Sequence, residues 1–448
     1  MNDTTAAGNR VSRRRTQSLF YVPTVFAIFF AVSASAEDLV DVYRAAVEND
    51  PTLLSVREGR GIAEARRRQA FAGLLPQADA SAHSAYTSRE VGSISTDQDS
   101  NGYDLSLTLP IYHHDAFKRL NQADAGIEQS TAELAASEAN LIVRVAERYF
   151  ATLAAADNLE FARAEKEAVG RQLDQTKQRF DVGLIAITDV HEAQAAFDQV
   201  VADEIVAQNE LANSREALRE LTGRYHDQLT PLGKDFALAI PQPNQVDAWV
   251  KRALDNNNNV HAAAAAVEVA RERVQEQRAG HLPAVDLTAE HSYLDDGGNL
   301  FNNESVTENS VRLVFSLPLS RGGAVVARTQ ENAHLYAQSK FNLEAVRRGA
   351  QRQASDAYLA VVASVSRTKA LKQAVISTQS ALKAAEAGLE VGTRTTVDVL
   401  NTRRDLFGAQ RNHARARYDY VLNLFRLREA GGDLTVAEFE QINKSLQQ

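Results

Sequence analysis

The chain carries nearly the same message twice, and the length of that repeat constrains its architecture more than any single motif. Phe180-Asp-Val-Gly-Leu-Ile-Ala-Ile-Thr-Asp-Val190 returns as Leu389-Glu-Val-Gly-Thr-Arg-Thr-Thr-Val-Asp-Val399, setting Gly183 over Gly392, Asp189 over Asp398 and Val190 over Val399 at an offset of 209 residues. At the same offset Leu218-Arg-Glu220 falls on Leu427-Arg-Glu429 and Tyr149 on Tyr358, while Pro110 meets Pro318 at 208 and Pro76 meets Pro283 at 207. A period of this size is too long for a solenoid array and describes two copies of one whole structural unit. The expected organisation is a removable segment over 1–36, a first repeat over 37–223, a linker over 224–247, a second repeat over 248–432 and a C-terminal segment over 433–448.

The removable segment reads as a secretory signal. Arg10, Arg13, Arg14 and Arg15 precede the apolar run Leu19 to Val32, and Ala34-Ser35-Ala36 supplies the small residues of a signal peptidase site. A membrane anchor is the weaker reading, because the run is short for a bilayer and a cleavage pattern follows at once. No later apolar stretch reaches spanning length, so a helical membrane protein is excluded. With no cysteine among 448 residues, disulfides, thiolate metal sites, thiol catalysis and a lipidated N-terminal cysteine are excluded too. The formal charge is -9, and about -12 once the arginine-rich segment is gone, which argues against nucleic acid as a partner.

Each repeat reads as helix, strand, loop, strand, very long helix, turn, long helix. Pro51 to Gly73 is helical in composition and is stopped by Leu75-Pro76. The period then becomes two: Tyr103, Leu105, Leu107 and Leu109 alternate with polar residues, and Val311, Leu313, Phe315, Leu317 and Leu319 alternate with Arg312, Val314, Ser316 and Pro318, with Val285, Leu287, Ala289 and Tyr293 marking the strand before them. Thr87 to Gly102 and Leu294 to Ser310, rich in Ser, Asp, Asn and Gly, are expected to be loops between paired strands. Alternation over about ten residues with tyrosines near the ends is the pattern of transmembrane β-barrel strands. Four such strands cannot close a barrel, and open edges are not tolerated in lipid, so a membrane role requires several chains to share one barrel.

From about Ala116 the period is helical, with Leu120, Ile127, Leu134 and Leu141 recurring every seven residues. The returning helices show Val190, Phe197, Leu211 and Leu218, and Val399, Leu406, Tyr420 and Leu427, the register being interrupted by Glu204 in one and His413 in the other. Rods of this length find their partners in other long helices of the same chain or of neighbouring subunits. A short strand is expected at Phe236 to Ile240 within the linker, and a last short helix after Gly431-Gly432.

Val182-Gly183-Leu184-Ile185-Ala186-Ile187-Thr188-Asp189-Val190, Val391 through Leu400, His281-Leu282-Pro283 and Ser316-Leu317-Pro318-Leu319 followed by Gly322-Gly323 resemble the TolC family of outer membrane efflux and secretion channels, over almost the whole chain beyond the signal. The resemblance implies an α+β membrane channel. Three chains giving four strands each close a twelve-stranded β-barrel in outer membrane lipid, continuous with a long periplasmic α-helical barrel and a small mixed α/β equatorial region. It implies a homotrimer acting as a passive exit duct for type I protein secretion, multidrug efflux or both. A periplasmic adaptor (membrane fusion protein) couples that duct to an inner membrane ABC or proton-driven transporter. The competing reading is a soluble periplasmic coiled-coil adaptor, disfavoured by the second hairpin pair and the absent lipid anchor.

The resemblance also assigns residues. Asp398 occupies the family's narrowest periplasmic constriction, and the family's second aspartate, three residues on, is Asn401 here, so one carboxylate ring is expected instead of two. From sequence alone, Asp398 is a carboxylate complementing a helix N-terminus. Arg394, Asp189, Thr188 and Arg417 match positions that hold inner and outer helix pairs together in the closed state, although the tyrosine that joins them in the family is Leu389 here. Gly183, Leu184, Gly392 and Thr393 lie at tips that dock the adaptor in the family. No catalytic constellation, cofactor or metal site is expected: His191-Glu192 lacks a second histidine, His113-His114-Asp115 lies at a strand-to-helix junction, and Gly59-x-Gly61 lacks a third glycine.

Overall fold

The computed structural model of the chain describes residues 36–233, 236–296 and 305–446. Residues 1–35 of the expected signal, Lys234 and Asp235 of the linker, 297–304 of the second expected loop and the last two residues lie outside the described residues. The elements of the first half, α1 (Leu39–Asn49), α2 (Pro51–Ala72), β1 (Gln77–Val91), β2 (Ile94–His113), α3 (His114–Asp181) and α4 (Ile187–Thr222), recur in the same order. The second set is α5 (Val246–Asn256), α6 (Asn258–Arg278), β3 (Ala284–Asp296), β4 (Ser305–Ser316), α7 (Ala324–Glu390) and α8 (Thr396–Gly431), followed by α9 (Val436–Leu446).

Local chemistry explains the helix starts. Asp38 accepts from the Asp41 amide at 2.8 Å to cap α1. Asp50 caps α2 by accepting from Leu53 N at 2.9 Å, with Pro51 in the first turn where its missing N–H costs nothing. Asp50 is only 2% exposed, and the Arg144 fork from α3 meets both its oxygens at 3.1 and 2.7 Å. That bidentate pair holds the carboxyl below its usual range against the opposing effect of burial.

The four strands form one antiparallel sheet in the order β1-β2-β3-β4. The β1–β2 ladder runs unbroken from Gln77 opposite Thr108 to Val91 opposite Ile94, turning at Gly92 with φ of 65°. The loop expected over Thr87 to Gly102 is therefore strand. Apolar alternation stops there but main-chain pairing does not, since Thr87 opposite Gln98 and Ser88 opposite Asp97 satisfy the backbone with any side chain. The second expected loop is shortened likewise by Leu294 opposite Val306 and Asp295 opposite Ser305.

The pairing rows sort the side chains onto two faces. Ala78, Leu107, Ala289 and Val311 share one row, and Leu109, Leu287 and Leu313 another on the same face. The intervening row carries Gln77, Thr108, Thr288 and Arg312, and the row of Asp79, Ser106, Glu290 and Ser310 also lies on that second, polar face, where Arg312 sits 3.8 Å from Glu290. The apolar face is uncovered: Val311 is 75% exposed, Leu313 70% and Phe315 65%.

Below the sheet run the rods. At about 1.5 Å per residue, the 68 residues of α3 and 67 of α7 span about 100 Å each. Helix α3 packs along α4, α7 along α8, α6 lies against both α3 and α7, and α8 runs beside α3. The main core sits at mid-rod, where Trp249, Phe425 and Phe439 are fully buried among Phe150, Leu141 and Leu427. The strand expected at Phe236 to Ile240 is absent. Phe236 and Leu238 pack onto the core, and the main chain of Ala239 bonds through both its N–H (3.1 Å) and its carbonyl (3.0 Å) to the Tyr420 hydroxyl, which takes the place of a neighbouring strand. Among the described residues the β structure of this mid-rod region is one isolated parallel bridge, Glu37 with Leu229.

Candidate functional site

The hairpins α3–α4 and α7–α8 end in the same turn. Gly183 donates to Phe180 O at 2.8 Å and Leu184 to Arg179 O at 2.9 Å; Gly392 donates to Leu389 O at 3.3 Å and Thr393 to Gly388 O at 2.8 Å. This is the paired closure of a Schellman motif, and it requires the left-handed backbone seen at Gly183 (φ 74°) and Gly392 (φ 78°). Val182, Leu184 and Val391 point from these tips into solvent, each at least 70% exposed.

The tips differ in how their aspartates are held. In α8, Thr395 is the N-cap: its hydroxyl accepts from Asp398 N at 3.1 Å, while Asp398 Oδ2 accepts from both Thr395 N and Thr395 Oγ1 at 2.9 Å. Those bonds, with Arg394 nearby, hold the Asp398 carboxyl below the usual range. In α4 the corresponding cap is Ala186, which has no side-chain bond to give, so Asp189 is left without that clamp. The capping role expected from sequence for Asp398 is thus present in the geometry. Asn401, three residues on, is exposed on the same helix face.

The four residues expected to act together are not joined within one chain. Among the described residues no hydrogen bond or ion pair links Arg394 to Asp189 or Thr188. The Arg394 stem instead lies over Gly388, where an added Cβ would meet its Cγ at 2.6 Å. Arg417 is 23 residues further along α8, roughly 35 Å at about 1.5 Å per residue, and there it donates to Gly233 O and covers the Phe236 ring at 5.3 Å.

Sequence reading missed the groups that tie the two hairpins to each other. Arg403 of α8 donates to Ala168 O of α3 at 2.9 Å and to Glu386 of α7 at 2.7 Å, and Arg411 donates to Glu165 of α3 at 2.8 Å. No signal marks these arginines in the sequence, because their partners depend on α8 lying beside α3. The Thr395-x-x-Asp398 cap was readable. Among the described residues no group of three or more His, Asp or Glu could hold a metal ion, and no helix is long and apolar enough to cross a membrane.

An apolar-faced antiparallel sheet continuous with paired rods of about 100 Å, ending in acid-bearing tips, has the build of one subunit of a membrane channel shared between several chains. The comparisons agree. The chain belongs to the outer membrane efflux protein family, whose pattern it matches over residues 42–224 and 249–433. It is 38% identical over 414 residues to outer membrane protein TolC of Vibrio cholerae serotype O1, covering 92% of this chain and 94% of that one. It is 29% identical over 427 residues to the alkaline protease secretion protein AprF of Pseudomonas aeruginosa, covering 93% and 89%. Among solved structures, the Campylobacter jejuni CmeC outer membrane channel superposes with a TM-score of 0.77 at 17% identity, covering 91% of this chain and 89% of that one, a likeness of fold.

Proposed function

We propose that three copies of this chain form a passive exit duct, each giving four strands to one twelve-stranded barrel and two helical hairpins to one periplasmic tunnel. The observation that supports this most directly is the four-stranded sheet, with one apolar face uncovered and an unpaired edge on both β1 and β4. Such a sheet cannot stand in lipid alone, and closure with further copies satisfies the edges and turns the polar rows inward. The duct serves type I secretion, multidrug efflux or both, in keeping with a relative named for protease secretion and a family named for efflux; it performs no catalysis and binds no cofactor. A periplasmic adaptor seats on the exposed apolar tips around Gly183, Leu184, Gly392 and Thr393 and couples the duct to an inner membrane transporter. Asp398 forms a single carboxylate ring at the periplasmic entrance, with Asn401 uncharged beside it. Arg394, Asp189 and Thr188 are the polar groups at that end which restrain the closed state, and Arg417 acts higher on α8.

The test is stoichiometry. Extracted in detergent, the protein is expected to run as a stable trimer by light scattering and to shift in electrophoretic mobility on heating. A monomer that stays soluble without detergent would instead select the periplasmic coiled-coil adaptor.

A further inference from the structure

The formal charge of the chain is -9, yet the two ends of its sheet carry opposite signs. Where β1 and β2 run on beyond β3, the face that bears Tyr103 and Tyr293 also bears Asp97 and Asp99. At the other end, where the strands join the rods, the charges are basic. From Ala65 to Ala78, the entry into β1, the charged side chains are Arg66, Arg67 and Arg68; from Ser316 to Gln330, the exit from β4 into α7, they are Arg321 and Arg328. Arg67 is paired with Asp124 of α3 at 2.5 Å. The other four are exposed and have no ion-pair partner among the described residues.

These two segments adjoin the free edges of the sheet. In a barrel closed by further copies, β4 of one chain lies beside β1 of the next. Arg68 stands four residues before Ala72, the last of α2, and Arg328 four residues after Ala324, the first of α7. At about 1.5 Å per residue both lie about 6 Å inside the sheet-side end of their helices, so closure brings them to one level. Arg66 and Arg321 flank them. The guanidinium groups then gather at one seam, with no acid between Glu64 and Asp79 or between Ser316 and Glu331 to offset them. Like charges there oppose closure, and an anion set between them turns repulsion into attraction.

The seam is apolar on its sheet side. The alternate-residue row of Val311, Leu313 and Phe315 runs on in sequence through Leu317 and Leu319, which is 90% exposed, to Arg321, and Leu75 is exposed just before β1. Acyl chains for that row and a phosphate for the arginine forks are what a single phospholipid offers. Inorganic phosphate meets only the second demand.

We propose that an anionic phospholipid occupies the seam between adjacent copies at the rod end of the sheet. Its phosphate is held by Arg66 and Arg68 of one copy and Arg321 and Arg328 of the next, and its acyl chains lie against Leu75, Leu317 and Leu319. This rests on the duct reading above and adds a lipid to the assembly.

The full-length assembly, purified in neutral detergent, is melted with added phosphatidylglycerol, phosphatidylcholine or inorganic phosphate, and retained lipid is counted by native mass spectrometry. Wild type is expected to retain phosphatidylglycerol several-fold over phosphatidylcholine and to melt several degrees higher with it, an effect that fades as salt screens the arginines. Arg68→Gln with Arg321→Gln should melt higher than wild type in detergent alone, because repulsion at the seam is relieved, and should gain nothing from phosphatidylglycerol. Arg347→Gln, at an exposed position further down α7, should behave as wild type. Equal retention of the two lipids, or inorganic phosphate matching the effect of phosphatidylglycerol, overturns the proposal. A double variant that melts lower than wild type without lipid overturns it too, since the arginines would then be meeting carboxylates of the neighbouring copy. A wild-type protein that is monomeric by light scattering removes the duct reading itself.

Discussion

Two demands meet on the carboxylate of Asp398. Thr395 engages Oδ2 from its own N–H and hydroxyl, and the same aspartate is the candidate for the charge at the entrance. These demands are compatible because a carboxylate has a second oxygen, and because the cap favours the ionised form. The ring is then expected to stay charged to lower pH than an ordinary carboxylate, its cation preference present above that range and lost as pH falls through the lowered value. With Asn401 beside it, cation selectivity and block by trivalent cations are expected to depend on Asp398 alone. Asp398→Asn is expected to nearly abolish both, and Asn401→Asp to strengthen them by adding a ring one helical turn away. Reversal potential and block affinity at low salt, where screening is least, are the measurements. Selectivity that survives Asp398→Asn would move the constriction elsewhere. Such single-residue assignments came from family likeness as much as chemistry: the cap was legible in Thr395-x-x-Asp398, whereas nothing in the sequence places Arg394 over Gly388.

Among the elements, the rods were the most legible. Their heptads survive as inward positions, buried at Leu141, Leu218, Val399, Leu406, Tyr420 and Leu427 and half-buried at Leu120, Ile127, Leu134, Val190, Phe197 and Leu211, because a seven-residue repeat sustained over many turns has one structural meaning. The interruptions in that repeat have a physical reason that sequence did not reveal. Glu204 in α4 reaches back to Lys166 at 2.8 Å and Arg163 at 3.4 Å of α3. Its counterpart His413 in α8 is half-buried, and burial first, then Arg417 and Lys372, push its pKa down. The histidine is harder to protonate in the fold than in an unfolded chain, where it protonates at about pH 6.5. The unfolded state therefore binds more protons in the window below that value, and stability complete above about pH 6.5 is lost as pH falls. Melting of the detergent-solubilised protein should show this decline, and His413→Gln should flatten it; an identical pH profile in both would remove His413 from the account. Strand ends were less legible than rods, because apolar alternation reports which face meets lipid and not how far the ladder runs. The linker strand failed for a related reason, since the extended segment at Ala239 is satisfied by the Tyr420 hydroxyl.

For the whole molecule, the fact that four strands are too few was visible in the sequence, but the sheet order was not. The structure makes β2 and β3 the inner strands, so the two halves of the chain meet at the centre of the sheet and the chain's free edges are β1 and β4. If neighbouring copies cover those edges, the outward amides of β1 and β4 should resist hydrogen exchange as strongly as those of β2 and β3 in the purified assembly. Rapid exchange at alternate residues of the outer strands would show a sheet left open. The recurrence of elements at an offset of 209 residues has a further consequence, in counting and descent. In the trimer proposed above, a half-length ancestor, with one strand pair and one rod pair, would need six identical copies to build the same wall, and every tip would be the same. Fusing two such halves into one gene reduces six protomers to three and ends their enforced equality. One half could then keep Thr395 to clamp its aspartate while the other drifted to Ala186, giving a threefold ring two sorts of tip that no sixfold ring of identical parts could possess.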